Sequence, residues 1–319
     1  MRALVIEMRT LVILVTAAAI SFGVVAANTP REPERPAGIP PATARIHKPA
    51  AVMLNDRGED LRKKGDLDAA IRIYSEAIAT DPDFAWPFNN RGLAWATKGE
   101  FPNAIKDYAE AIRLDPAYAY PFNNRGLVWA AKGDFENALK DYTDAIRLDP
   151  RYAVPFSNRG LVRAAKSEFD QAMADYEDAI RLDPNLGVAY SNRGRLREFK
   201  GEFGNAIADY AEAIRLDPTL SAPLNSIAWL RATCHDANYR SGKEAIEFAT
   251  RACELTGWKS FGELDTLAAA YAEEGEFTNA VIRQQTALEF VPASERQSAT
   301  ERLELYRSNM PFRQPARKQ

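Results

Sequence analysis

Small and large apolar positions recur along the chain with a period of 34 residues. An Asp-Pro pair marks the end of each period, and its proline defines position 32 of the repeat. These prolines are Pro82, Pro116, Pro150, Pro184 and Pro218. In all five periods glycine occupies position 8, alanine occupies positions 20 and 27, and tyrosine occupies position 24. A fixed period of this length predicts a stack of similar helical units.

The pattern within one period predicts two packed helices. Helix axes approach to about 8 Å only where the facing side chains are small, so position 8 and positions 20 and 27 are expected at the contact. Large residues at positions 4 and 24 fill the space around them. Glycine at position 15 predicts the end of the first helix, because a left-handed residue is favourable there. These glycines are Gly65, Gly99, Gly133 and Gly201.

The units from Ala51 to Leu220 resemble the tetratricopeptide repeat family in their large, small and proline positions. Two more divergent units follow, the first with an insertion around Thr233 to Ser241. The resemblance implies an all-α fold, an α-solenoid of about seven tandem helix-turn-helix repeats with a C-terminal capping helix. The predicted repeats are 51–84, 85–118, 119–152, 153–186, 187–220, 221–260 and 261–293, followed by a capping helix at 294–308 and a flexible tail at 309–319.

Some positions depart from the family pattern. Arg163, Arg197 and Arg231 stand at position 11, where an aromatic residue or leucine is usual, and Gln284 replaces the aromatic residue at position 24. These substitutions predict less tight packing in their repeats. Ser294 and Gln297 have the spacing of a capping box that would open the last helix.

The first fifty residues differ in composition from the repeats. Arg2 and Arg9 precede an uncharged run from Leu11 to Ala27, which predicts a signal peptide or N-terminal anchor over residues 1–27. Residues 28–50 are rich in proline and predict a disordered linker. We therefore expect an exported protein, periplasmic or secreted, or alternatively one anchored to the membrane through residues 11–27. Cleavage of the segment and the start codon, Met1 or Met8, stay open.

The chemistry-bearing residues argue against an enzyme. The sequence has two histidines, and the one cluster that merits attention is Cys234-His235-Asp236, which lacks the second ligand pair of a structural zinc site. Cys234 and Cys253 are expected near opposite ends of a helical hairpin, too far apart for a disulfide. No glycine-rich phosphate loop occurs. We expect no catalysis, no metal and no cofactor.

A protein or peptide of unknown identity is the expected partner. The formal charge of -3 without a long basic run argues against nucleic acid. In the family that the sequence resembles, the first helix of each repeat lines the concave face, and its outward positions are largely uncharged here. The candidate residues are Trp86, Asn89, Asn90, Leu93, Tyr120, Asn123, Asn124, Leu127, Ser157, Asn158, Leu161, Ser191 and Asn192.

Two interpretations of these residues stay open. Amides can donate to and accept from an extended backbone, so the face suits a neutral or apolar peptide. Alternatively, the amides hydrogen-bond within or between repeats. Arginine at position 7 has a similar ambiguity between an anion-binding stripe and a structural role, which its aliphatic stem favours. These arginines are Arg57, Arg91, Arg125, Arg159 and Arg193.

The predicted function is a protein interaction module of the cell envelope that binds a protein or an extended peptide on its concave face. The alternative is a non-catalytic accessory subunit of an envelope enzyme or of a secretion or assembly complex.

Overall fold

The computed structural model describes residues 47–315. Within this range the chain is all-helical, with fifteen α-helices, one short 3-10 helix at Ala237–Tyr239 and no strand. The helices are α1 Pro49–Lys63, α2 Leu67–Thr80, α3 Ala85–Thr97, α4 Phe101–Leu114, α5 Ala119–Ala131, α6 Phe135–Leu148, α7 Ala153–Ala165, α8 Phe169–Leu182, α9 Gly187–Phe199, α10 Phe203–Leu216, α11 Ser221–Thr233, α12 Gly242–Leu255, α13 Phe261–Glu273, α14 Phe277–Ala287 and α15 Arg296–Arg307. The predicted segment 1–27 and most of the predicted linker lie outside the described residues.

The helices form seven antiparallel pairs, so the predicted fold of tandem helix-turn-helix repeats is confirmed. The chain divides into two compact units, one ending at Leu182 and the other beginning at Asp183. In the first unit the second helix of each of the first three pairs packs on the first helix of the next pair, and successive first helices also touch. The second unit repeats this arrangement from α9 to α14, and α15 covers α14.

Tyrosine and glycine set the closest approach inside a pair. The ring of Tyr142 is fully buried against Gly126, and a Cβ atom added to Gly126 would lie 2.7 Å from that ring. Alanines at positions 20 and 27 are likewise buried with no exposed surface, as Ala138 and Ala145 show. The small positions are therefore the points where two helices meet, as the period indicates.

The turn between paired helices has a left-handed residue at position 15. In the third repeat Gly133 adopts φ 76°, whereas in the fourth repeat Ser167 adopts φ 66° at the same position. A side chain makes this conformation unfavourable. The fourth repeat therefore keeps the turn geometry without the residue that suits it.

The structure corrects the predicted linker at its C-terminal end. Pro49 begins α1, where its missing N–H removes no helical hydrogen bond. The ring of His47 stacks on Phe84 at 4.2 Å and lies 3.0 Å from a carboxylate oxygen of Asp81. Burial disfavours a charge on Asp81, but the Lys48 N–H and the His47 ring hold its pKa below the usual value. Residues 47–50 thus belong to the folded part of the chain.

The C-terminal end also differs from expectation. No capping box forms at Ser294, because α15 begins only at Arg296 and the side chain of Gln297 bonds Glu301 instead. The predicted flexible tail is packed as far as the structure describes it. The Gln314 N–H donates to the Thr233 carbonyl at 2.8 Å, and Phe312 packs against Trp229. A polar composition concealed these contacts, which join residues distant in sequence.

Charged residues at position 11 and the glutamine at position 24 are packed rather than loose. Arg163 donates to Asp175 at 2.8 Å, and Arg197 donates to Asp209 at the same distance. Gln284 is fully buried, and its amide donates to Asp265 at 2.7 Å. Burial raises the pKa of Asp265, although Arg302 and Gln284 both favour its charged form. Polar networks replace the aromatic packing of the other repeats.

No helix within residues 47–315 has the length and apolar character needed to cross a membrane.

Candidate functional site

The predicted amide row is a ladder that joins one repeat to the next. Asn90 donates to Asn55 at 3.0 Å, Asn124 donates to Asn89 at 2.9 Å, and Asn158 donates to Asn123 at 3.0 Å. In each case the amide at position 6 reaches back to position 5 of the preceding repeat. Buried amides must be hydrogen-bonded, and here they satisfy one another. The structural interpretation of these residues therefore accounts for their contacts in the first unit.

Burial limits what the thirteen candidate residues can offer to a partner. Ten of them are buried, and Trp86, Asn90 and Asn158 keep partial exposure. The buried ones are Asn89, Leu93, Tyr120, Asn123, Asn124, Leu127, Ser157, Leu161, Ser191 and Asn192. Leucines at position 9 lie in the core of the first unit with the position-24 tyrosines. Burial of this kind favours the alternative interpretation, in which the amides hydrogen-bond between repeats.

A row of aromatic rings runs beside the amide ladder in the first unit. We call it the aromatic row; it comprises His47, Phe84, Trp86, Tyr118, Tyr120 and Tyr152. Successive ring centroids are 4.2, 5.6, 6.5, 5.7 and 4.6 Å apart. The amide of Asn89 lies 3.4 Å from the Tyr118 hydroxyl, which joins the ladder to the row.

Sequence reasoning found only part of this row. Trp86 and Tyr120 stand at position 2 and were among the candidates, whereas Phe84, Tyr118 and Tyr152 stand at position 34 and were not. The available signal was an aromatic residue directly before the first helix in three consecutive periods. Because position 34 lies in the connection between repeats, helix periodicity alone did not assign it to a face.

The tyrosines of the row are uncharged and have polar hydroxyl groups. Burial raises the pKa of Tyr120 to about 12 and raises the pKa values of Tyr118 and Tyr152 above the usual range. The hydroxyls therefore stay protonated at physiological pH and can donate as well as accept. Trp86, Tyr118 and Tyr152 keep part of their surface exposed. Rings of this kind offer a large apolar area with a hydrogen-bonding edge.

Arginine at position 7 is structural in four repeats. Arg91 donates two hydrogen bonds to Asp107, both 2.8 Å long, and Arg125 does the same to Asp141. The partner is the aspartate at position 23 of the same repeat. Each guanidinium also lies over the aromatic ring at position 4, as Arg125 does over Phe122 at 5.8 Å. Arg57 is exposed, because position 23 of its repeat holds Ile73.

The Cys234-His235-Asp236 cluster does not converge on one point. Cys234 is buried in the apolar core of the second unit, whereas His235 is exposed and packs edge-on against Phe203. The Asp236 carboxylate accepts from the Asn238 N–H and caps the 3-10 helix. Burial raises the pKa of Cys253 to about 12 and also raises that of Cys234. Both thiols are therefore protonated near neutral pH, and neither is an activated nucleophile.

Neither a metal site nor a disulfide involves the cysteines. No group of three or more potential metal ligands occurs within residues 47–315. Cys234 and Cys253 are both free and buried, and they lie in different core clusters of the second unit.

Tandem helix pairs with an inter-repeat ladder define the class of the molecule as a helical repeat scaffold. Family models for the tetratricopeptide repeat match residues 58–99, 96–133, 119–152, 156–186 and 188–220. The chain is a member of the tetratricopeptide repeat family. Proteins of this family bind protein or peptide partners and are typically non-catalytic, so the chain is a protein–protein interaction module.

Several solved structures share the fold. A tetratricopeptide repeat protein from Parabacteroides merdae is 16% identical with a TM-score of 0.52, over 81% of this chain and 99% of the other. A structure of the APC/C hetero-tetramer Cut9–Hcn1 is 15% identical with a TM-score of 0.67, over 80% of this chain and 48% of the other. MamA is 27% identical with a TM-score of 0.44, over 50% of this chain and 94% of the other. A comparison with curated protein sequences finds no match.

Proposed function

We propose that the first unit binds an extended, largely uncharged segment of a partner protein along the aromatic row, and that the protein works in the cell envelope. The observation that carries the binding proposal is the continuity of the row from His47 to Tyr152. A series of rings with tyrosine hydroxyls suits an extended peptide, which needs apolar contact for alternate side chains and hydrogen bonds for its backbone.

The charges of the first unit support an uncharged ligand. The buried arginines close to the first helices are already paired with aspartates, as Arg91 is with Asp107. Exposed ion pairs are found on the second helices, such as Arg113 with Glu110. A peptide on the aromatic row would therefore meet few unpaired charges of the described residues, and its own charges would find little compensation there.

Site-specific photocrosslinking in the native cell tests this proposal. A photoreactive phenylalanine analogue in place of Trp86 or Tyr152 is expected to capture the same partner from both sites. The matched control carries the analogue in place of Lys106, which is exposed on a second helix of the same unit. Equal capture from Lys106, or no capture from either ring position, contradicts binding along the row. Stable recovery of a catalytic chain would indicate an accessory subunit.

The envelope location rests on the N-terminal sequence pattern. Arg2 and Arg9 before an uncharged run, with small residues up to Ala27, are typical of export signals. Cell fractionation followed by N-terminal sequencing is expected to find the protein in the envelope fraction with Asn28 as its first residue. An envelope protein that still begins at Met1 or Met8 would be anchored. A soluble cytoplasmic protein with that terminus would contradict export.

A further inference from the structure

The C-terminal segment from Met310 to Pro315 folds back over the first helix of the sixth repeat. The ring of Phe312 lies 5.8 Å from that of Trp229. The Gln314 N–H donates to the Thr233 carbonyl at 2.8 Å, and the Arg313 guanidinium donates to the Ala232 carbonyl at 3.4 Å. The segment has no helix or strand of its own and lies against α11.

The segment covers residues near the C-terminal ends of two first helices. Trp229 and Thr233 are positions 9 and 13 of the sixth repeat, and Glu273 is position 13 of the seventh. Arg313 forms an ion pair with Glu273, which also accepts from Arg240 at 3.0 Å. We call this set, Trp229, Ala232, Thr233 and Glu273, the tail groove. It presents an aromatic ring, two backbone carbonyls and a carboxylate.

A fixed arginine shapes the aromatic part of the tail groove. The Arg302 guanidinium lies 5.8 Å from the Trp229 ring centroid and 5.7 Å from that of Phe312. Its Nε donates to the buried Asp265 at 2.8 Å, which holds the guanidinium in place. The phenylalanine thus enters a site bounded by an indole and a cation, where an aromatic ring is favoured over an aliphatic side chain.

We infer that residues 310–315 are an intramolecular ligand that keeps the tail groove closed. A partner segment with an aromatic residue directly followed by arginine is the ligand that displaces them. This inference rests on the proposed function, in that first-helix faces bind extended peptides. The contacts of the segment are those of a bound peptide, with a backbone hydrogen bond, one ring and one ion pair. Arg313 keeps about a third of its side chain exposed, at 34%, so the segment lies at the surface where a competitor reaches it.

The tether sets the strength of the closure. Only a few residues connect the end of α15 at Arg307 to Phe312, and a short connection presents a ligand at an effective concentration of about 1 mM. If residues 310–315 themselves bind the open groove with a Kd of about 10 µM, their tethering weakens the binding of a competing free peptide about a hundredfold. Opening therefore requires a partner that is tighter or locally concentrated.

A labelled peptide with the sequence of residues 308–319 tests the inference by fluorescence anisotropy. It is expected to bind the full-length Phe312→Ala/Arg313→Ala variant and to bind the unaltered chain about a hundredfold more weakly, because the tail competes in cis. A control peptide with the same two alanine substitutions is expected to bind neither. Failure of the labelled peptide to bind the folded variant, or equal binding to both chains, overturns the inference.

Hydrogen exchange on the unaltered chain provides a test that needs no variant. Excess unlabelled peptide is expected to increase deuterium uptake of residues 310–315 several-fold while leaving α13 unchanged. Unchanged uptake at a concentration that saturates the variant contradicts displacement. Dimers formed by the unaltered chain in sedimentation velocity, and absent from the variant, would show instead that the tail binds a second copy. None of these measurements requires the partner of the first unit, so they can fail or succeed independently of the proposed function.

Discussion

At the scale of single residues, the aspartate at position 23 shows how a buried charge is accommodated. Asp107, Asp141, Asp175 and Asp209 each accept a two-pronged contact from the arginine at position 7. The sequence singles out the arginine but not its partner. Both residues are present together in repeats two to five, and in the first repeat Ile73 takes the aspartate position while Arg57 is exposed. The recurrence of aspartate at position 23 together with arginine at position 7 in those four repeats was the available signal for the pair.

Replacing Asp175 by alanine is expected to destabilise the protein by about 3 to 5 kcal/mol, because two arginines, Arg159 and Arg163, lose their buried partner. The matched control is Asp178→Ala on the same helix, whose exposed pair with Arg181 contributes less than about 1 kcal/mol. Urea unfolding followed by circular dichroism measures both. Equal shifts of the two midpoints would contradict a structural role for the buried pair.

The thiol of Cys253 gives a pH-dependent prediction. Burial raises its pKa to about 12. Because pH 8 is far below this pKa, the thiol stays protonated at that pH. Ellman's reagent is therefore expected to label neither cysteine of the folded chain at pH 8 and to label both in urea. Rapid labelling of either thiol without denaturant would show that the core of the second unit opens readily.

At the scale of helices, the period in the sequence predicts which segments pair and where they turn. Contacts between side chains of neighbouring repeats could be identified only from the structure. The positions of α1 to α14 follow from spacings in the sequence. The burial of Asn89 and Asn124 does not, because periodicity gives the direction of a side chain but not whether the next repeat covers it. The tail was misjudged for another reason. Its contact from Gln314 to Thr233 joins residues that share no repeat and no period.

The amide ladder is expected to stabilise the contact between repeats. Asn124→Ala removes the donor to the buried side-chain oxygen Oδ1 of Asn89. This change should destabilise the first unit by about 1 to 3 kcal/mol. Asn103→Ala changes an exposed asparagine of the same unit and should stay within about 0.5 kcal/mol. Thermal unfolding compares the two. An unchanged Tm for Asn124→Ala, accompanied by lost partner capture, would restore the interpretation of the ladder as a binding surface.

The turn between α7 and α8 can be improved. Ser167 holds φ at 66°, a conformation that costs a residue with a side chain about 1 to 2 kcal/mol. Ser167→Gly is therefore expected to raise the stability of the first unit by about 1 kcal/mol, with Ser167→Ala as a control that gives no such gain. Differential scanning calorimetry measures the change, and a destabilised glycine variant would contradict strain at this turn.

At the scale of the whole molecule, the two units carry surfaces of different chemistry. The first unit presents a row of aromatic rings with uncharged tyrosine hydroxyls. The second presents a groove with a carboxylate, Glu273, that its own C-terminal segment occupies. One chain can therefore hold two kinds of segment, one selected by apolar contact and one selected by an aromatic–arginine pair.

Salt is expected to separate the two surfaces. Raising sodium chloride from about 50 mM to about 500 mM screens exposed charges but leaves apolar contact intact. Capture of the partner by the first unit should change less than about twofold. Binding of the labelled tail peptide to the Phe312→Ala/Arg313→Ala variant should weaken several-fold, because its arginine pairs with Glu273. Photocrosslinking yield from the Trp86 position measures the first and fluorescence anisotropy measures the second, and parallel salt dependences would contradict the assignment of different chemistries.

The amide ladder has a consequence for how such a chain lengthens during evolution. The second and third repeats each contain both halves of the joint, an acceptor at position 5 and a donor at position 6, so a duplicated copy of either repeat contains the groups needed to bond its neighbours on both sides. The joint between old and new segments then requires no compensating substitution. Gene duplication can add length to the first unit one repeat at a time, and each added repeat also brings the positions from which another ring of the aromatic row can be built.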